Sequence, residues 1–353
     1  MMLSISSEEI AQLKDTIENI AVSGKGILAA DESTPTITKR FDALNIACTE
    51  STRRVYRELL LTTPNLEKYI SGVILFEETF NQKTSKGISF PKLLINKNII
   101  PGIKVDKGLV AIPGCKEKST QGLDGLAQRL NEYKNQGARF AKWRAVFAIS
   151  KNTPSRLAIQ TNAEDLARYA AICQELGIVP IIEPEVLIDG DHGIQNSYDV
   201  SLEVLHTVFH KLHNHQIMLE YIILKPSMVT SGKNCLQQAS YQEIADKTIS
   251  MLKRTVPCAV LSINFLSGGQ SPQQALQNLN AMHQVRETLP WNLSFSFARA
   301  LQEPCMKVWL GKEENANLAQ NTFIKQVQLG SLASIGEYKI DYDPGENDES
   351  SKK

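Results

Sequence analysis

The chain has 353 residues, in which 38 Lys and Arg balance 38 Asp and Glu, and 42% of its residues are hydrophobic. A net charge of zero gives no general pull toward nucleic acid or an anionic membrane, since both favour a basic excess. The apolar fraction supports a sizeable core, and the length suits two or three domains or one large α/β unit.

The chain opens on Met1-Met2-Leu3-Ser4, which lacks a basic start and an apolar signal core, and no apolar run nears the roughly 20 residues a bilayer requires. No targeting or spanning segment is expected, and the composition reads as that of a cytoplasmic enzyme or scaffold. Ser6-x-x-Glu9 is a capping box, opening a helix from about Ser7 to Val22. Eight short, β-branched, apolar runs then follow: Gly26 to Asp31, Ile70 to Glu77, Pro101 to Asp106, Arg139 to Phe147, Val179 to Val186, Leu219 to Lys225, Ala259 to Phe265 and Trp291 to Phe297. Amphipathic helical patterns separate them. Thr161-x-x-Glu164 and Ser240-x-x-Glu243 read as capping boxes, and Ser271-Pro272 as an N-cap before a first-turn proline. A last helix spans about Glu313 to Gly336.

Successive runs begin about 30 to 45 residues apart, the length of a strand plus a crossover helix. Eight such units close a (β/α)8 TIM barrel. No Pro/Ser-rich linker interrupts the series before Tyr338, so one domain is expected over 1–340, followed by a disordered acidic tail over 341–353, which lacks large aliphatic side chains.

The six cysteines are scattered, with no CxxC pair, and are expected to be reduced thiols. His206 and His210 stand at i, i+4 spacing but lack the carboxylate of a metalloprotease motif, and read as a solvated helix face. No metal site is expected.

A barrel interior is ordinarily lined by Val, Ile and Leu, so ionisable residues inside these runs need a reason. The first run ends in Asp31 and the second in Glu77; the third carries Lys104 and Asp106, the fourth Lys142 and Arg144, the fifth Glu183 and Glu185, the sixth Lys225. Side chains alternate along a strand, so each i, i+2 pair points one way, and all lie toward the C-terminal strand ends where barrel enzymes carry their sites. One charged residue at a strand end is ordinarily a structural salt bridge; six strands sharing the feature point to a common pore. Lys225 follows Tyr221-Ile222-Ile223-Leu224 and precedes Pro226, which favours an extended conformation. An amine attacks a carbonyl only when neutral, and desolvation with cationic neighbours lowers a lysine pKa, so Lys225 is a candidate Schiff-base nucleophile. Glu183, Glu185 and Asp31 are the carboxylates available for proton transfer. After the seventh run, Ser267-Gly268-Gly269 precedes a helix start, and Arg299 follows the eighth run; loops seven and eight are this fold's usual phosphate site.

These segments, with others, resemble the class I (Schiff-base) fructose-bisphosphate aldolases over Ser7 to Tyr338. The matching stretches are Gly26-Ile-Leu-Ala-Ala-Asp-Glu-Ser-Thr34, Gly102-Ile-Lys-Val-Asp-Lys-Gly108, Gln121-Gly-Leu-Asp-Gly-Leu126, Ala141-Lys-Trp-Arg144, Ile182-Glu-Pro-Glu185, Leu224-Lys-Pro226, Phe265-Leu-Ser-Gly-Gly-Gln270 and Arg299-Ala-Leu-Gln302. The resemblance implies reversible cleavage of fructose 1,6-bisphosphate to dihydroxyacetone phosphate and glyceraldehyde 3-phosphate, without metal or other cofactor. It implies that Lys225 forms the Schiff base, Glu183 is the main acid/base, Lys142 assists carbinolamine turnover and Asp31 engages the hydroxyl whose deprotonation breaks the carbon–carbon bond. Glu185 and Arg144 support them. Ser267, Gly268, Gly269 and Arg299 match the region for the ketose 1-phosphate; Ser33, Thr36 and Lys104 match that for the other phosphate. A homotetramer is implied, with small-molecule sugar phosphates as partners; from the charge and hydropathy above, neither nucleic acid nor membrane is expected.

Three stretches depart from the family pattern. Pro35-Thr36 stands for Gly-Ser, and Phe297-Ala298-Arg299 for Tyr-Gly-Arg, which places a β-carbon where backbone meets phosphate. The family's tyrosine-ended tail has no match through Lys353, so proton exchange at the enamine carbon is expected to differ. Two rivals are a transaldolase-like Schiff-base barrel and a binding scaffold; the complete set Asp31, Lys142, Glu183 and Lys225 argues against the scaffold.

Overall fold

Side-chain alternation along the strands organises the interior. The computed structural model describes residues 5–285 and 288–339, so the tail expected over 341–353 lies outside the described residues. Ten strands occur among them: β1 Gly26–Ala30, β2 Ile70–Leu75, β3 Ile100–Lys104, β4 Leu109–Ala111, β5 Lys118–Thr120, β6 Phe140–Phe147, β7 Val179–Val186, β8 Ile223–Leu224, β9 Ser262–Phe265 and β10 Asn292–Phe297. Eight close a parallel barrel in the order β1-β2-β3-β6-β7-β8-β9-β10 and back to β1, with helices on its outside. The expected (β/α)8 architecture is therefore the observed one.

Two apolar clusters follow from the period of two. Inward residues Ile27, Ala29, Ile74, Phe140, Val179, Ile181 and Ile223 form an inner cluster, which Leu13, Ile17 and Ile20 of the N-terminal helix Ser7–Ile20 join and close from below. Outward neighbours such as Leu28, Val73, Ala141, Trp143, Ile182 and Leu224 pack in the larger layer under the outer helices. Along each inner row the sequence turns from apolar to charged: Ile27, Ala29, Asp31; Phe140, Lys142, Arg144; Val179, Ile181, Glu183, Glu185; Ile223, Lys225. The lower half is thus a core and the upper half a polar cup.

Several local expectations change. Glu77 does not end a strand; it opens the helix Glu77–Asn81, where its carboxylate accepts from the Tyr133 hydroxyl at 2.5 Å and pairs with Lys107 at 2.8 Å. It therefore leaves the pore set. Thr161 caps nothing, because it lies inside the helix Arg156–Glu175, whose N-cap is Ser155. The sixth run begins as a 3-10 turn, Leu219–Tyr221, and its strand has two residues, Ile223–Leu224, with the Lys225 N–H still donating to the Ile182 carbonyl before Pro226, which has no N–H to give. The antiparallel hairpin β4–β5 was not foreseen; its short, mostly exposed strands carry too little alternation to read. Ser6 and Ser271 do form reciprocal capping boxes, the latter with Gln274, and Ser240 caps its helix through Glu243 N–H.

Candidate active site

The upper barrel opens into a cavity of about 620 Å³. Its lining includes every residue singled out from the sequence for chemistry or phosphate binding: Asp31, Ser33, Thr36, Lys104, Lys142, Arg144, Glu183, Glu185, Lys225, Ser267, Gly268, Gly269 and Arg299. Strand register explains the clustering. Lys104 lies level with Lys142, and Arg144 with Glu183, so charges from adjacent strands share one depth.

Four residues form a nearly dry chain of alternating sign. Lys142 Nζ stands 2.8 Å from Asp31 Oδ2 and 3.2 Å from Glu183 Oε2, while Lys225 Nζ stands 3.1 Å from Glu183 Oε1. Their residue exposures run from 3% for Lys225 to 7% for Asp31. Glu183 Oε2 meets Lys142 as a charge contact without hydrogen-bond alignment, which leaves that oxygen a free acceptor among the described residues. Burial opposes ionisation of Asp31, but the Lys142 and Lys225 ammonium groups outweigh it and hold the carboxyl well below the usual carboxylate range. Glu183 is likewise held low by Lys142, Lys225 and Arg144 against its burial. Lys142 goes the other way: burial disfavours its charge, yet Asp31 and Glu183 raise its pKa well above the ordinary lysine value. All three are ionised near neutral pH.

Arg144 and Glu185 form a close charge-assisted pair at the rim, and Lys104 pairs with Asp106 at 2.8 Å. On one side Ser33 N-caps the helix Thr34–Asp42, its hydroxyl 3.1 Å from that of Thr36, and Pro35 occupies the helix's first turn, where its missing N–H costs nothing. On the other side, Gly268 and Gly269 take positive φ of 34° and 84°, and a β-carbon at Gly269 would stand 2.6 Å from Ile188 Cγ2. Glycine is required there. Arg299 Nη2 donates to the carbonyl of Gln270 at 3.1 Å, which sets the guanidinium beside this loop. Ala298 has a negative φ of −104°, so its backbone does not call for glycine.

Further lining residues escaped the sequence reading, among them Glu32, Lys39, Arg40 and Leu109, while Asp106, already read as facing the pore with Lys104, does line it. A signal existed for two of them, since Lys39 and Arg40 follow Thr36 at i+3 and i+4 and so share its helix face. His206 and His210 are exposed on the helix Ile194–Asn214, and among the described residues no cluster of His, Cys, Asp and Glu is placed to hold a metal.

The family model described as glycolytic fructose-bisphosphate aldolase class-I matches residues 12–353. The cytosolic fructose-bisphosphate aldolase 6 of Arabidopsis thaliana is 51% identical over 98% of this chain and 96% of its own length. Fructose-bisphosphate aldolase B of Gallus gallus is 49% identical over 95% of this chain and 93% of its own. Among solved structures, the fructose-bisphosphate aldolase of Plasmodium falciparum, in a ternary complex with TRAP and a small-molecule inhibitor, superposes with a TM-score of 0.93 at 48% identity, covering 95% of this chain and 97% of that one.

Proposed function

The chain belongs to the class-I fructose-bisphosphate aldolase family, and on that premise we propose that it reversibly cleaves fructose 1,6-bisphosphate to dihydroxyacetone phosphate and glyceraldehyde 3-phosphate through a Schiff base on Lys225. The observation that carries the reading is the buried chain Asp31–Lys142–Glu183–Lys225, with an anion-suited loop on either side of it.

Lys225 Nζ attacks the ketone carbon, and Glu183, 3.1 Å away, is within proton-transfer reach of the amine and of the carbinolamine oxygen. Loss of water leaves an iminium. Asp31, anionic and fixed by Lys142, takes the proton of the substrate hydroxyl; the carbon–carbon bond breaks, its electron pair enters the iminium as an enamine, and the aldehyde leaves. Lys142 holds its charge beside both carboxylates and steadies the carbinolamine. Glu185 and Arg144 brace the rim. Ser267, Gly268, Gly269 and Arg299 take the ketose 1-phosphate, and Ser33, Thr36 and Lys104, with Lys39 and Arg40, take the other.

We assign catalysis to a domain of residues 1–340, and extend the reading to a homotetramer in the cytoplasm. A relative named cytosolic supports the location, and no described helix is long and apolar enough to cross a membrane. Borohydride added with dihydroxyacetone phosphate should fix one adduct on the Lys225 peptide; an adduct elsewhere, or none, overturns the assignment. Comparing kcat/KM for fructose 1,6-bisphosphate, fructose 1-phosphate and sedoheptulose 1,7-bisphosphate tests the two-phosphate site, and equal values would count against it. Sedimentation of a single-subunit species at micromolar concentration would remove the tetramer.

A further inference from the structure

On the helix Glu50–Thr62 the buried face consists of Tyr56, Leu59, Leu60 and Leu61, and one cation, Arg57. Arg57 is 3% exposed and does not line the cavity. A guanidinium is rarely buried without a partner that needs it. That partner is Glu32, itself 7% exposed: Arg57 Nη2 lies 2.6 Å from Glu32 Oε2 and 3.4 Å from the Glu32 carbonyl. The other oxygen, Oε1, binds Arg40 Nη1 at 2.5 Å, and Arg40 does line the cavity, on the same wall as Ser33, Thr36, Lys39 and Lys104. One carboxylate is thus divided between a cation in the core and a cation at the site. Two guanidiniums against one carboxylate leave one net positive charge, and only Arg40 can present it to a ligand.

We propose that Arg57 is a positioning residue for the bisphosphate reaction: by occupying one oxygen of Glu32 from behind the wall, it keeps Arg40 only partly neutralised and aimed at the substrate's second phosphate. Without Arg57, Glu32 would turn both oxygens to Arg40, in the bidentate fork that guanidinium and carboxylate favour, and cancel the charge the phosphate meets. Arg57 Nη1 and Glu32 Oε2 have no hydrogen-bond partner among the described residues, so the 2.6 Å approach of Arg57 Nη2 to that oxygen is a charge contact without hydrogen-bond alignment, and packing alone does not explain it. The proposal rests on the bisphosphate reading above.

The test compares the full-length protein with Arg57→Met and Arg57→Lys. For Arg57→Met, KM for fructose 1,6-bisphosphate should rise about 10- to 100-fold, as expected for loss of a charge-assisted contact, with kcat within about threefold. Its KM for fructose 1-phosphate, which lacks the second phosphate, should stay within about threefold. Arg57→Lys should restore part of the loss. Because Arg57 acts through Arg40, adding Arg57→Met to Arg40→Met should raise KM no further. An unchanged bisphosphate KM in Arg57→Met overturns the proposal, and so do equal losses on both substrates or additive losses in the double variant. If Arg57→Met does not fold, Arg57→Lys carries the same comparison: no selective loss on the bisphosphate overturns the proposal. Failure of the unaltered chain to cleave the bisphosphate defeats the underlying reading instead, and is seen in the same assay.

Discussion

Lys142 is the hinge of the site's electrostatics, because Asp31 and Glu183 both depend on it. A carboxylate whose folded pKa is lowered contributes stability above its unfolded value of about 4 and loses it as pH falls through the lower folded value; a lysine whose pKa is raised contributes below about 10.4 and loses it as pH rises through the higher one. Asp31 and Glu183 are shifted down and Lys142 up, so the intact cluster adds a stability plateau across roughly pH 5 to 9. Lys142→Met leaves two buried carboxylates under-compensated. The variant should be destabilised by about 3–5 kcal/mol at pH 8 and recover part of that at pH 5, where the carboxylates regain protons. Unfolding both proteins at the two pH values decides it; the same difference at each would contradict the shared-cation account. For Lys225→Met, loss of the proposed nucleophile should cut kcat to background while the fold persists, since a linear side chain still fills the site, and circular dichroism with activity measurement checks both halves of that statement.

Among the elements, helix starts separate real caps from imitations. The Ser271 hydroxyl accepts from Gln274 N–H at 3.1 Å and the Gln274 amide oxygen accepts from Ser271 N–H at 3.0 Å, so Ser271→Ala should cost about 1 kcal/mol and lower the unfolding temperature. Thr161→Ala, inside its helix, should change stability by less than about 0.5 kcal/mol. A Thr161 cost as large as that of Ser271 would show that the helix begins later than residue 156. Capping patterns in sequence are local and recur by chance inside helices; what distinguishes Ser155 is that its own backbone is extended, with ψ of 154°, and its hydroxyl accepts from Ala158 N–H.

At the scale of the whole molecule, aromatic rings occupy space that glycines leave, Phe140 in the inner cluster at the barrel floor and Phe295 in the layer under the outer helices. A β-carbon on Gly102 would fall 2.2 Å from the Phe140 ring, and one on Gly26 2.4 Å from the Phe295 ring. Gly102→Val should therefore overpack the floor and cost about 1–3 kcal/mol or more, measured by denaturant unfolding; a neutral result would mean that Phe140 can vacate its place cheaply. Leu13, Ile17 and Ile20 close the same floor, and Ile17→Ala should cost about 2–5 kcal/mol although the helix lies at the barrel end remote from the cavity.

Much of this molecule is written locally. Inner rows such as Ile27-Ala29-Asp31 and Phe140-Lys142-Arg144 announce strands, their inward face and the depth at which core becomes site, because alternation is a property of consecutive residues. The same local record placed the lysine proposed to form the Schiff base, the carboxylates and the glycine loop at the barrel's top. It left Glu77, Glu32 and Arg57 misread or unread, since whether a charged residue serves the pore, a helix start or a buried pair depends on its spatial partners. Barrel closure decides those partners: it seats Lys142 between carboxylates from β7 and the end of β1, and it divides Glu32 between Arg40 at the cavity and Arg57 in the core. Charge is a residue's own property, but its effect falls off over a few ångströms, and only the tertiary structure sets distances that short between residues so far apart in the chain.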